Sequence, residues 1–206
     1  MPKPEKHDMP TAPTVYLDSH AAATLRYIRN SMEAATAFAV PGSAGIAMGL
    51  VGLLAATLSL TPALAAHWLI IWLFASFLAA PIGGVLVLRP ASIRALALSG
   101  TPARRFALGL LPSLFVAAVL TLVLVRHDAL DAIPGVWLLC YGCALIAASV
   151  STTRIIGVMG ASFALLGLPA LLLPLKMQML VLGAGFGGLH LLFGMLISRR
   201  LRGRET

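Results

Sequence analysis

Between Pro41 and Ser198 the chain consists mainly of six apolar runs, at 41 to 60, 66 to 88, 106 to 125, 134 to 153, 155 to 175 and 177 to 198, and none contains an aspartate or glutamate. A stretch of ~20 apolar residues is the length at which a helix crosses the hydrocarbon of a bilayer. Lipid offers the backbone no hydrogen-bond partners, so each run has to close its own bonds as a helix. Over the full 206 residues 59% are hydrophobic and 11% charged, with a mean hydropathy of +0.94. A soluble domain carries about 25% charged residues and cannot hide this much apolar surface. The expected fold is all-α: a polytopic membrane protein of six transmembrane helices, preceded by an N-terminal amphipathic interfacial helix.

Charge sets the orientation. The formal net charge is +8, and the basic residues cluster between the apolar runs. If both termini share one side of the membrane, that side holds 13 of the 15 Lys and Arg, and the other holds only Arg126 and Lys176. Positive charge accumulates on the cytoplasmic side, so both termini are expected there. Arginine outnumbers lysine and alanine is abundant, which fits a GC-rich bacterial source and hence an inner (plasma) membrane. The first apolar run begins near residue 41, too late for a secretory signal, and no cleaved signal is expected. Residues 1–17, with Pro2, Pro4, Pro10 and Pro13, read as a disordered cytoplasmic tail. The helix at 18–40, the bundle at 41–198 and a basic cytoplasmic tail at 199–206 complete the organisation.

On a helical wheel Ala21, Leu25, Ile28, Met32, Ala35 and Ala39 fall in one arc, with Arg26, Arg29, Asn30 and Glu33 opposite. Such a segment lies along the membrane interface, and Pro41 and Gly42 then turn the chain into the bilayer. It either anchors the first span or docks a cytoplasmic partner. Docking would use Arg26, Tyr27, Arg29, Glu33 and Phe38, together with Arg94, Arg104 and Arg105 of the basic connection RPASIRALALSGTPARR.

Small residues indicate where helices approach closely. Gly42, Gly45, Gly49, Gly52, Ala56 and Ser59 form an unbroken stripe in the first run. Gly157, Gly160, Ala164 and Gly167 do the same in the fifth, and Gly183, Gly187 and Gly194 in the sixth. Such stripes let backbones meet where hydrophobicity itself gives no drive. These three helices are expected to form a tight inner group, and the same stripes leave a homo-oligomer open.

Groups capable of chemistry are few. Runs without carboxylates lack the relays that ion-coupled pumps use, and no nucleophile stands with a base, so a non-enzymatic protein without a cofactor is expected. His190 shares the stripe of Gly183, Gly187 and Gly194 and should face the bundle, ~12 Å inside the cytoplasmic end at the rise of a helix. Ser113, Ser149 and Ser162 lie at similar depth as candidate polar partners. Cys140 and Cys143, in CYGC, are a candidate redox pair, though cysteine also serves as a small buried hydrophobe. No second cysteine pair completes a zinc site, and His67, His127, Asp128 and Asp131 read as solvated loop residues.

The segments YIRNSMEAATAFAVPGSAGIAMG and GFGGLHLLFGMLISRR resemble an uncharacterised bacterial family of six-span inner-membrane proteins, a likeness that covers most of the chain and implies no particular activity. In architecture the chain also resembles the membrane subunits of ABC-2-type transporters, which combine an interfacial helix, six spans and a helical loop coupled to an ATPase. It departs from them in offering only Pro174, Leu175 and Lys176 between its last two spans, where those subunits fold extra short helices. No G-x-x-x-x-G-K-[ST] motif is present, so an ATPase would be a separate chain. Two functions follow as expectations: a scaffold or accessory subunit that binds a cytoplasmic protein, or a small transporter or permease subunit for an apolar or amphipathic substrate. Nucleic acid is not an expected partner. A solid glycine-packed core favours the first function, and a cavity or lateral groove beside His190 the second.

Overall fold

The computed structural model describes residues 24–25, 40–87 and 102–202. Among them every regular element is helical and no strand occurs. We number the helices α1 (Gly42–Leu60), α2 (Trp68–Val87), α3 (Pro102–Arg126), α4 (Ile133–Ser149) and α5 (Arg154–Ala170). A last rod runs from α6 (Leu175–Leu182) through a π-helical segment, Gly183–Leu189, into α7 (His190–Arg202).

Five helical stretches are long and apolar enough to cross a membrane: Gly42–Leu60, Ala65–Val87, Arg104–Arg126, Leu130–Ser149 and Leu175–Arg200. By length and composition they mark a multi-pass membrane protein. The fifth run, expected to continue to 175, yields the shorter α5 of 17 residues. Prolines set its end: Pro169 lies in the last turn, and Pro174 is extended, with ψ 148, as the cap of α6. A proline also disfavours helical backbone at the residue before it, so Leu173 leaves the helix. Of the expected helix at 18–40, Thr24 and Leu25 are helical. Arg26, Tyr27, Arg29, Glu33, Phe38 and Arg94 lie outside the described residues.

The glycine stripes decide which helices touch. A Cβ placed on Gly52 would lie 2.6 Å from the carbonyl carbon of Phe186, and one on Gly49 would lie 2.9 Å from the Gly187 oxygen. Near the N-terminal end of α1 Gly45 faces Gly194 in the same way. α1 and the last rod are therefore antiparallel and in near-backbone contact. The α5 stripe behaves differently from the expectation. It packs against α4: Gly160 meets the Gly142 oxygen, Gly167 meets Leu139, and Gly157 meets Ser149. α4 supplies its own small residues, Gly135 and Gly142, so this pair closes from both sides, and the inner group of three helices is replaced by two tight pairs. α5 runs along the whole length of α4, from Ser149 at one end to Gly135 at the other.

α2 packs on α1 and α3 on α4, and both keep wide apolar faces outward, with Phe74 and Phe115 each 70% exposed. In water such faces would aggregate; in a bilayer they meet lipid tails. The core lies between α4, α5 and the last rod, where Ile133, Leu138, Phe163 and Leu182 are fully enclosed. At the end of the bundle where α4 begins, the buried Gln178 donates through Nε2 to the carbonyls of Asp131 and Leu173, both at 2.8 Å, and so ties the segments before α4 and after α5 to α6. Trp68 and Trp137 stand 6.5 Å apart between ring centres, and the Trp137 indole donates to Thr121 Oγ1 at 2.7 Å. Tryptophans near the helix ends suit the membrane interface.

Candidate functional site

The site begins with the π-helical segment, GAGFGGL. Its glycines let α1 come against the backbone of Phe186 and Gly187, and no side chain of their own holds the rod to α-helical pitch. Bonding from i to i+5 widens the turn, and single π segments of this kind concentrate at functional sites. Phe186 and His190 are consequently brought nearly parallel, 18° between ring planes and 6.2 Å between centres.

His190 is buried, 3% exposed, and faces the bundle as its stripe predicts. Its Nε2 shares a 2.8 Å hydrogen bond with the hydroxyl of Tyr141 on α4. Around it Tyr141, Phe163 and Phe186 form a closed aromatic cluster: the Tyr141 ring lies 4.8 Å from Phe163 and 5.2 Å from Phe186, and Phe163 stands edge-on to the imidazole at 5.3 Å. Ring pairs at these separations add about 0.5–1.5 kcal/mol each beyond simple burial. The Gly185 and Phe186 carbonyls lie beside the imidazole, yet Nδ1 makes no hydrogen bond of acceptable geometry.

Next to this cluster is a cavity of about 70 Å³. One α2 face lines it with Trp72, Ala75, Ser76 and Ala79, and the remaining wall comes from α1, Trp137, Phe186 and His190. Among the described residues no charged side chain takes part. Trp72, 4% exposed, lies 5.8 Å from Phe186 between ring centres, and its indole N–H is buried without a partner. The site thus combines an aromatic, mainly apolar wall with two unpaired polar groups, on residues contributed by α2 and the last rod. Buried polar groups are normally paired, so two orphans at one cavity are an unusual concentration.

The other candidates are placed elsewhere. Ser162 and Ser149 bond the carbonyls of Val158 and Ile146 in their own helices and do not reach His190. Ser113 joins Cys140 and Cys143 instead, along an open groove between α3 and α4. Both thiols are free, Cys140 half-buried and Cys143 exposed. Arg104 and Arg105 are exposed at the start of α3, on the same end of the bundle as the exposed Arg154, Arg199 and Arg200. Among the described residues no group of three or more His, Cys, Asp or Glu stands together to hold a metal ion. Sequence reasoning missed Tyr141 and Trp72. Their signal was present as a tyrosine and a tryptophan inside apolar runs, each with a polar atom to satisfy.

Comparison with protein-family models, with curated proteins and with solved structures finds no match for this chain.

Proposed function

We propose that the protein is a non-enzymatic integral protein of the bacterial inner membrane, crossing the bilayer six times with both termini cytoplasmic. In this reading it takes up a small apolar or amphipathic molecule in the lateral cavity beside His190, as a small transporter or an ABC-type permease subunit would. The observation that carries it is the 70 Å³ cavity with unpaired buried groups on Trp72 and His190. A bundle that served only as a scaffold would have no use for unpaired polar groups beside a void, since each costs about 1–3 kcal/mol. The sixth crossing is α5. Its 17 residues make a helix of ~25 Å, at the short end of what spans a bilayer, and it stays alongside α4 throughout.

A scaffolding role keeps support from the other end of the molecule. Arg104, Arg105, Arg154, Arg199 and Arg200 are all exposed there, a basic surface suited to anionic headgroups or an acidic cytoplasmic partner.

One preparation tests both. Wild type, Ala75→Phe, which fills the cavity, and Ala80→Phe, which adds the same bulk to an exposed α2 position, are extracted from native membranes in polymer-bounded discs and examined by mass spectrometry. A small molecule held by wild type and Ala80→Phe, and depleted several-fold in Ala75→Phe, is the expected result. Equal small-molecule content in all three, with a common protein partner, would replace the ligand reading with the scaffold.

A further inference from the structure

We propose that the protein is built as two three-helix bodies, α1, α2 and the last rod against α3, α4 and α5, and that their relative movement uncovers the cavity, with Trp137 as the wall that is carried away. The inference rests on the cavity being the site proposed above, and adds how it opens.

The close contacts divide the helices into these two sets. Wherever a Cβ on a described glycine would lie under 3.0 Å from the backbone of another helix, that helix belongs to the same body. Gly42, Gly49 and Gly52 of α1 meet the last rod, Gly109 of α3 meets Ala148 of α4, and Gly142 and Gly160 join α4 to α5. Gly83 seats α2 on α1, 2.8 Å from the Met48 sulfur. Gly185 looks the other way, across the seam, and meets side chains there: Leu138 Cδ2 at 2.6 Å and the Phe163 ring at 3.3 Å. Backbones in contact along a helix part only by losing that packing, whereas side chains at a seam can repack into a second arrangement. Rings span the seam, Trp68 with Trp137 and Phe186 with Tyr141 and Phe163, as do the hydrogen bonds from Tyr141 to His190 and from Gln178 to the Asp131 carbonyl. In lipid, parting apolar surfaces meets little hydrophobic resistance, because acyl tails replace the lost neighbours.

The cavity straddles this seam unevenly. Among the described residues its lining belongs to the first body, on α1, α2 and the last rod, except for Trp137. Trp137 moves with the second body, because its indole bonds Thr121 of α3, whose hydroxyl in turn bonds the Ala117 carbonyl of the same helix. The pivot is marked as well. Gln178 holds Asp131 ahead of α4 and Leu173 in the α5–α6 connection, so the bodies are fastened at that end. Trp68 beside Trp137 places the start of α2 there too, and the movement grows toward the opposite end, where α2 and α4 finish.

Spin-label pairs in the full chain, held in lipid discs and with Cys140 and Cys143 replaced by alanine, measure the movement. Val85 with Val150 reports across the seam at the opposite end, Ile70 with Leu122 across it at the fastened end, and Phe115 with Val158 within the second body; all are exposed positions. Each pair is read with Tyr141 intact and in Tyr141→Phe, which removes a tie across the seam. The expected result is a second, longer Val85–Val150 distance that becomes the major one in Tyr141→Phe, while the other two pairs keep single distances. In parallel, the cysteine of Ala75→Cys, on the cavity wall, should react several-fold faster with N-ethylmaleimide when Tyr141→Phe is added. A single distance for all three pairs, with and without the tyrosine hydroxyl, would overturn the two-body construction. Longer distances within the second body as well would mean a bundle loosened throughout, with the same consequence. Movement at Val85–Val150 with an unchanged rate at Ala75→Cys would overturn the uncovering of the cavity. None of these readouts needs a ligand, so if they succeed while mass spectrometry finds no small molecule, the two bodies stand and the ligand reading fails.

Discussion

Gly52→Leu is expected to be among the most destabilising single substitutions in the bundle, by about 3 kcal/mol. A Cβ at this position already falls 2.6 Å from the Phe186 carbonyl, a backbone atom that cannot rotate away. The rest of a leucine side chain would push α1 off the last rod. The sign is informative because intrinsic propensity points the other way: replacing glycine inside a helix normally gains about 1 kcal/mol. If α1 were not in near-backbone contact, the variant would be as stable as wild type or more so. Leu54→Ala, at a position 58% exposed, removes side chain from the lipid face and should change little. Thermal unfolding of both variants in the same detergent makes the comparison, and equal midpoints would remove the close-packed pair. The Gly52 effect should also spread to the cavity, since Gly52 lines it and Phe186 forms part of its wall.

Tyr141→Phe should cost about 1–3 kcal/mol although it removes a single oxygen. The ring contacts with Phe163 and Phe186 survive, but His190 is left with neither ring nitrogen bonded. The penalty therefore belongs to the stranded imidazole. Adding His190→Leu to Tyr141→Phe removes the stranded group, so the double variant should recover most of the loss. A double-mutant cycle should give a coupling of about 1–2 kcal/mol. Additive effects would mean that the 2.8 Å contact contributes nothing and that His190 is held by packing alone.

Five of the six apolar runs were legible because a bilayer imposes length and composition with little ambiguity, whereas the fifth, read through Pro174 to 175, ends as a helix at Ala170. The facing direction of His190 followed from its place on a glycine stripe. What the stripes could not say is which backbone each one meets. Gly157, Gly160 and Gly167 announce a close neighbour, but its identity depends on small residues in the other helix. Gly135 and Gly142 of α4 supply them, separated by seven positions, with Gly142 set between the more conspicuous cysteines. The π-helical turn was equally hidden, since a glycine-rich segment has the same composition whether its bonds run to the fourth or the fifth residue.

The polar site was misjudged for a chemical reason. Serines were selected as partners for His190 by depth, yet a serine inside a helix can satisfy itself on the carbonyl three or four residues earlier, as Ser149 and Ser162 do. A tyrosine hydroxyl stands too far from its own backbone for that, and has to find another helix. Tyr141 was the residue to follow, and it sits between the two cysteines that drew attention as a redox pair.

The claim on which the rest depends is that α5 completes a sixth crossing, placing the cavity of His190 within the bilayer and Arg199 and Arg200 on the same side as Arg104 and Arg105. Membrane-impermeant thiol labelling of intact cells tests it, after Cys140 and Cys143 are replaced by alanine. Single cysteines are then placed at His127 in the α3–α4 turn, at Val150 after α4 and at Leu172 after α5, the last two positions being 91% and 89% exposed. Six crossings predict labelling from outside at 127 and 172, with 150 protected until the cells are opened. Protection of 172 together with 150 would mean that α5 does not cross, and would contradict the six-crossing bundle.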